Sequence, residues 1–152
     1  MKTWDPQRAL DLIEAQAITM INMIPTMLGD LIAAFEAQPR FVRSVRLLTV
    51  AGSVLPFETL ARARAIFDNT IANIYGLTEA AGPVTDLNPQ DMVHGKEQSV
   101  GRPGRFIEFA ILDEQGRVAN DHEAGEIALA GPQITAGYLG QPEETRRALT
   151  GK

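Results

Sequence analysis

Residues 45–74 read VRLLTVAGSVLPFETLARARAIFDNTIANI, and the order of patterns within them decides the fold. Val45 to Val50 is a short apolar run of strand type, and Ala51-Gly52-Ser53 turns the chain at its end. Pro56 then opens a helix that continues through Phe67, and Thr70 to Ile74 is a second strand. A strand, a helix of about a dozen residues and a second strand make a βαβ unit, whose two strands run parallel.

The same alternation extends toward the start of the chain. Asp5 can cap a helix with Pro6 in its first turn, and Ala9, Leu12, Ile13 and Ala17 recur at helical spacing, which predicts a helix over residues 6–17. Its polar face carries Gln7, Arg8, Asp11 and Glu14. Ile18 to Ile24, interrupted by Asn22 and stopped at Pro25, reads as a buried parallel strand. Thr26 to Ala37 is a second helix, closed by Pro39. Beyond Glu79 the pattern changes. Residues 82–105 hold three prolines and four glycines and read as a long irregular connection. Phe106 to Leu112 and Glu126 to Ala130 then read as strands joined by a hairpin-type turn at Asp113-Glu114-Gln115-Gly116-Arg117, with a last short helix from Pro142 to Leu149. The class is therefore α/β: a parallel βαβ layer over residues 1–97, followed over residues 98–152 by the start of an antiparallel β-rich part.

A chain of 152 residues, 45% hydrophobic and 22% charged, is one ordinary domain or two small pieces with a packed core. The 14 Lys and Arg against 19 Asp and Glu give a net charge of -5, with no dense basic run to suit a phosphate backbone, so no nucleic-acid partner is expected. The absence of cysteine excludes disulfides, thiol nucleophiles and Cys metal sites. No signal-type stretch and no transmembrane-length apolar run occurs, which makes the cytoplasm the expected location. His94 and His122 lack metal-ligand spacing and stand in polar loop contexts, as surface residues do.

Chemistry concentrates just past the second strand of the βαβ unit, at Ile74-Tyr75-Gly76-Leu77-Thr78-Glu79. Tyr75 offers a flat face to a purine, and Gly76 lets the backbone turn where a side chain would obstruct a ligand. Thr78 can donate to a phosphate oxygen, and Glu79 is a hard oxygen ligand suited to Mg²⁺. Ligands of parallel sheets collect beyond the carboxyl ends of the strands, where this segment and Ala51 to Leu55 both fall. Each residue also has a structural reading: Tyr75 as a core aromatic, Glu79 as an acid at a helix start, and Asn73 as a turn former.

The order Tyr75-Gly76-Leu77-Thr78-Glu79 resembles the Y-G-x-T-E signature of the adenylate-forming enzymes, the superfamily of acyl-CoA synthetases, luciferases and peptide-synthetase adenylation domains. Val50-Ala51-Gly52-Ser53-Val54-Leu55-Pro56 is similar to that family's G-G-A-x-L-P loop, with Ala51 standing where a second glycine is common. Downstream, Ser99-Val100-Gly101-Arg102-Pro103-Gly104, Gly125-Glu126-Ile127 and Gly131-Pro132-Gln133-Ile134-Thr135-Ala136-Gly137-Tyr138 follow in the family's order. The resemblance covers essentially the whole chain and is nearest to an AMP-forming acyl-CoA synthetase. It implies a distorted barrel for the β-rich part, and ATP, Mg²⁺, CoA and a carboxylic acid as substrates and cofactor. By the same resemblance Tyr75 stacks on adenine, Thr78 contacts phosphate, Glu79 binds Mg²⁺, and Gly52, Ser53 and Asn73 pass the nucleotide. Thr78 and Glu79 are then the catalytic pair, while Ile74, Gly76, Ala81 and Gly82 border the acyl group, and Pro25-Thr26-Met27 either joins them or only starts a helix. The family's Ser/Thr/Gly-rich phosphate loop has no counterpart here, and its T-G-D aspartate and C-terminal lysine would lie beyond Lys152. The expectation is an internal fragment, inactive alone, whose partners include the rest of a parent polypeptide. A peptide-synthetase-type or luciferase-like enzyme, or a free-standing nucleotide-binding α/β module, stands as the alternative.

Overall fold

The computed structural model describes residues 3–68, 70–92, 95–97 and 99–149; His94 and Lys152 lie outside them. The elements begin with α1 (Pro6–Gln16), β1 (Met20–Met23), α2 (Pro25–Ala37), β2 (Leu47–Val50), α3 (Phe57–Phe67) and β3 (Ile71–Leu77). A single 3₁₀ turn over Thr78–Ala80 follows, then β4 (Gly82–Leu87), α4 (Pro89–Met92), β5 (Arg102–Pro103), β6 (Glu108–Leu112), β7 (Glu126–Ala130) and α5 (Pro142–Ala148). Strands β1 to β5 lie in that order in one sheet, and β6 pairs with β7 in another. The α/β class, with a parallel-rich sheet and a separate antiparallel one, is as the sequence implied. Among the described residues no helix is long and apolar enough to cross a membrane.

The chain forms two compact units. The first joins the residues up to Tyr75 with Thr85–Arg102, and the second joins Gly76–Val84 with the residues from Pro103 onward.

In the first unit each helix start has a local cause. Asp5 adopts an extended φ of -146° and its carboxylate accepts the Arg8 backbone N–H at 3.0 Å, which satisfies one of the orphan donors of α1. Pro25 opens α2, while Pro56 stands just outside α3 as its N-cap rather than within it. Leu10 and Ile13 of α1, Leu28, Leu31 and Ile32 of α2, Leu60, Ala63 and Phe67 of α3, and Leu48, Val50 and Ile71 of the strands make one buried cluster. Each such aliphatic side chain withdrawn from water contributes roughly 1.5 to 3 kcal/mol before entropy is counted. In α1 Leu10 and Ile13 are buried and Ala9 packs against the cluster, with Leu12 at the surface and Ala17 closing the helix in the left-handed region at φ 47°.

Strands β1, β2 and β3 pair in parallel, with Met23 opposite Val50 and Val50 opposite Asn73. Two expectations need correction here. The first strand is buried only at its end: Met23 is 5% exposed and Met20 65%, and β1 stands at the edge of the described sheet. Residues 82–105 are not one irregular connection, since β4, α4 and β5 lie within them. Their prolines and glycines fall at element ends and at one close backbone approach. Gly101 has φ +87°, and a Cβ there would stand 1.7 Å from the Asp86 carbonyl oxygen. The segment is pinned by side chains as well: the Asn73 amide donates to the Ser99 carbonyl at 3.0 Å and the Thr85 hydroxyl to the Val100 carbonyl at 2.6 Å.

In the second unit β6 and β7 are antiparallel, with Glu108 opposite Ala130 and Leu112 opposite Glu126. The predicted turn exists but does not join them directly. Asp113 accepts the backbone N–H groups of Gln115 and Arg117, turning the chain so that Val118 bridges Leu112, and residues 119–125 then lead to β7. Ala80 and Val84 are buried in this unit, whereas Phe106, Val118 and Leu139 are largely exposed.

Gly101→Ala should lower stability by about 2 to 4 kcal/mol, combining a left-handed backbone with a backbone clash. Gly29→Ala, inside α2 with nothing within 4 Å of the new Cβ, should instead raise it by about 0.5 to 1 kcal/mol. Thermal melts of the two variants check this pair of opposite signs.

Candidate functional site

The register of the first unit sets the ends of β1 and β2 level with Asn73 in β3. Past Met23 the chain enters Ile24 and Pro25, past Val50 it enters Ala51, Gly52 and Ser53, and past Asn73 strand β3 continues to Ile74 and Tyr75. Gly52 has φ +92°, and a Cβ on it would meet Ile24 Cγ2 at 3.2 Å, so the glycine lets the two loops approach each other. Gly52 and Ser53 are exposed, whereas Ile74 and Tyr75 are half-buried and stand outside the buried cluster. Asn73 is 7% exposed and sits within β3 rather than in a turn, one amide hydrogen already given to Ser99.

In the second unit the signature takes a form that the sequence did not show. Gly76 is not a turn residue. It lies inside β3, and a Cβ there would stand 2.2 Å from the Gly82 carbonyl oxygen, so the glycine is required by the close approach of the two chain segments. The reversal comes later, in the 3₁₀ turn of Thr78, Glu79 and Ala80, closed by the Ala81 N–H donating to the Thr78 carbonyl at 3.0 Å. Ala81 carries the left-handed φ of 53° and Gly82 a φ of 128°.

This turn is clasped by the segment Gly131 to Tyr138, fifty to sixty residues downstream. The Gln133 side-chain amide donates to both the Ala80 carbonyl at 2.8 Å and the Pro83 carbonyl at 3.0 Å. The Thr135 backbone N–H donates to the Glu79 carbonyl at 2.7 Å, and the Tyr138 hydroxyl donates to Glu79 Oε1 at 2.6 Å. Sequence reasoning assigned no function to Gln133, Thr135 or Tyr138. Their membership in an ordered motif block was the available signal, but no local pattern ties them to residue 79.

The electrostatics of Glu79 follow from these bonds. The Tyr138 hydroxyl, and next the residue's own backbone N–H, hold its carboxyl below the usual carboxylate range. Both donors are neutral, so the negative charge is stabilised without being cancelled by a cation. That is a donor set suited to a hard divalent cation: an ionised, oriented oxygen ligand beside an exposed Thr78 hydroxyl. Among the described residues no group of three or more His, Cys, Asp or Glu could hold a metal, which leaves Glu79 as a single carboxylate. Mg²⁺ is commonly bound by one carboxylate together with phosphate oxygens. A cavity of about 380 Å³ lies elsewhere, lined by residues including Val42, Val45, Arg46, Phe67 and Thr70. It sits at the amino ends of β2 and β3 and holds none of the predicted site residues. His122 is exposed, in keeping with a surface role.

Comparison with known proteins bears on the motifs directly. The family described as AMP-binding enzyme matches residues 1–139. The chain belongs to that family. A medium/long-chain-fatty-acid–CoA ligase of Mycobacterium tuberculosis is 34% identical over 146 residues, covering 96% of this chain and 26% of the ligase. The structure of the amide bond synthetase McbA from Marinactinospora thermotolerans superposes with a TM-score of 0.90 at 26% identity, over 99% of this chain and 31% of that one. The o-succinylbenzoate coenzyme A synthetase of Bacillus subtilis, in complex with ATP and magnesium ion, gives a TM-score of 0.84 at 26% identity, over 98% of this chain and 30% of that one. The chain thus spans between a quarter and a third of the length of these three proteins.

Gln133→Leu keeps the side chain's bulk and removes both donors of the clasp. It should cost about 1 to 3 kcal/mol, because two carbonyls lose their partner, and urea denaturation would show the midpoint falling; an unmoved midpoint would mean that the clasp adds no stability.

Proposed function

We propose that this chain is the later part of the nucleotide-binding domain of an AMP-forming acid–CoA ligase. The observation that carries the reading is the ionised Glu79, its carboxylate held by the Tyr138 hydroxyl next to the exposed Thr78. Residues 1–97 are its βαβ part and residues 98–152 its β-rich part. The family match and the relatives' CoA-ligase activity support the class, and the short coverage supports a longer parent polypeptide. The cytoplasm is the proposed location.

In this reading a substrate carboxylate oxygen attacks the α-phosphorus of ATP. The bond to the bridging oxygen breaks, pyrophosphate leaves and an acyl-adenylate forms. The CoA sulfur, having lost its proton, then attacks the acyl carbon, and AMP departs with the electron pair of the broken C–O bond. Mg²⁺ bound with the nucleotide would supply charge neutralisation on the phosphates. The residues of this chain contribute positioning and fixed donors, which is most of what phosphoryl chemistry asks of a protein. Tyr75 supplies a ring face for adenine, with Asn73, Gly52 and Ser53 along the nucleotide. Thr78 donates to phosphate, and Glu79 is the metal ligand. Ile74, Gly76, Ala81 and Gly82 border the acyl group, and the small residues at 81 and 82 leave room for a bulky or long chain. The acid and the final acceptor are set by residues outside this chain, so an amide-forming or carrier-loading enzyme is the second reading. The amide bond synthetase among the structural neighbours favours keeping it.

The isolated chain should release no pyrophosphate above a blank from ATP and a panel of fatty and aryl acids; clear turnover would contradict its being a part. In the full polypeptide, Tyr75→Ala should weaken ATP binding by about 1 to 3 kcal/mol, the scale of base–aromatic stacking, while Tyr75→Phe should cost much less. A core role would give the reverse signature under calorimetry and melting: a stability loss of roughly 3 to 5 kcal/mol with nucleotide affinity intact.

A further inference from the structure

The clasp treats the two ends of Glu79 separately. The backbone of Glu79 is held by the Thr135 N–H, and its carboxylate by the Tyr138 hydroxyl. Tyr138 is anchored independently of the residue it touches. Its backbone N–H donates to the Thr145 hydroxyl at 2.9 Å, and that hydroxyl donates to the Gln141 carbonyl at 2.8 Å in the first turn of α5. Gly137, at φ +143°, permits this seat: a Cβ there would stand 2.5 Å from Thr145 Cγ2. The ring is 36% exposed, so it is no core side chain whose hydroxyl merely happens to find a partner. Nothing in ordinary packing calls for a tyrosine hydroxyl on the one carboxylate of the signature.

We propose that Tyr138 is a positioning residue for Glu79, its hydroxyl holding the carboxylate in one orientation before the nucleotide-bound divalent cation arrives. The inference rests on the reading of Glu79 as the metal ligand. A glutamate has much rotamer freedom to lose when it binds a cation, and an acceptor already fixed by a short charge-assisted bond has lost it beforehand. A neutral hydroxyl suits the task better than Lys or Arg would, since it occupies one lone pair out of about four and leaves the charge in place.

The test is a calorimetric titration of Mg²⁺ into the full polypeptide saturated with a non-hydrolysable ATP analogue, on the parent, Tyr138→Phe and Glu79→Gln proteins, with thermal melts alongside. Tyr138→Phe deletes a single hydroxyl from a half-exposed ring and should weaken Mg²⁺ binding about tenfold, the scale on which partners of metal ligands act. The melting temperature and the metal-free affinity for the analogue should hold. Unchanged Mg²⁺ affinity in Tyr138→Phe, with or without a lowered melting temperature, while Glu79→Gln loses it, would overturn the positioning role and leave Glu79 as the ligand. Unchanged affinity in both variants would overturn the reading of Glu79 itself, and the inference with it.

Discussion

The parallel register of β1, β2 and β3 is the constraint on which the first unit depends. Met23, Val50 and Asn73 stand side by side. The chain therefore leaves β1 through Pro25 and β2 through Gly52 at one level, while β3 runs on past that level through Tyr75 to Leu77. Aliphatic side chains of α1, α2 and α3 pack in one cluster with those of the strands, and a slip of one residue would turn Leu48 and Val50 out of it. The exposed loop at Gly52 and Ser53, with little stabilisation of its own, is in this way located by a core it does not belong to.

Backbone contacts do the corresponding work around the signature. Gly76 permits the Gly82 carbonyl to come close, Gly101 permits Asp86, and Gly131, at φ +146°, permits Phe106. Each glycine marks a place where two chain segments touch through their main chains, and a methyl group would part them. The motif blocks that follow the signature thereby acquire a physical meaning. Ser99 and Val100 receive the side-chain donors of Asn73 and Thr85, while Gln133, Thr135 and Tyr138 hold residues 79, 80 and 83. They act by fixing the segments they bond to.

Much of the first unit was legible in the sequence because its signals are local. Asp5 and the prolines announce helix starts, and the alternation of apolar runs with helical spacing announces parallel strands. The exposure of β1 was not legible, since an edge strand and a central one share the same apolar run and differ only in what lies beside them. The reading of Gly76 as a turn failed for a related reason: glycine serves turns and close approaches alike, and only the partner segment tells them apart. Strand β4 was hidden because Gly82-Pro83 at its start resembles a loop, although Val84, Thr85 and Leu87 within it are buried. The contact of Tyr138 with Glu79 spans 59 residues, beyond the reach of any local pattern.

The proposed function depends most directly on where a nucleotide lies. A crystal structure of the full polypeptide with a non-hydrolysable acyl-adenylate analogue measures that in one step. The adenine is expected against the ring of Tyr75 and the phosphate mimic within hydrogen-bond distance of the Thr78 hydroxyl. Adenine seated elsewhere, such as in the cavity between Val42 and Phe67 at the opposite ends of the strands, would contradict it.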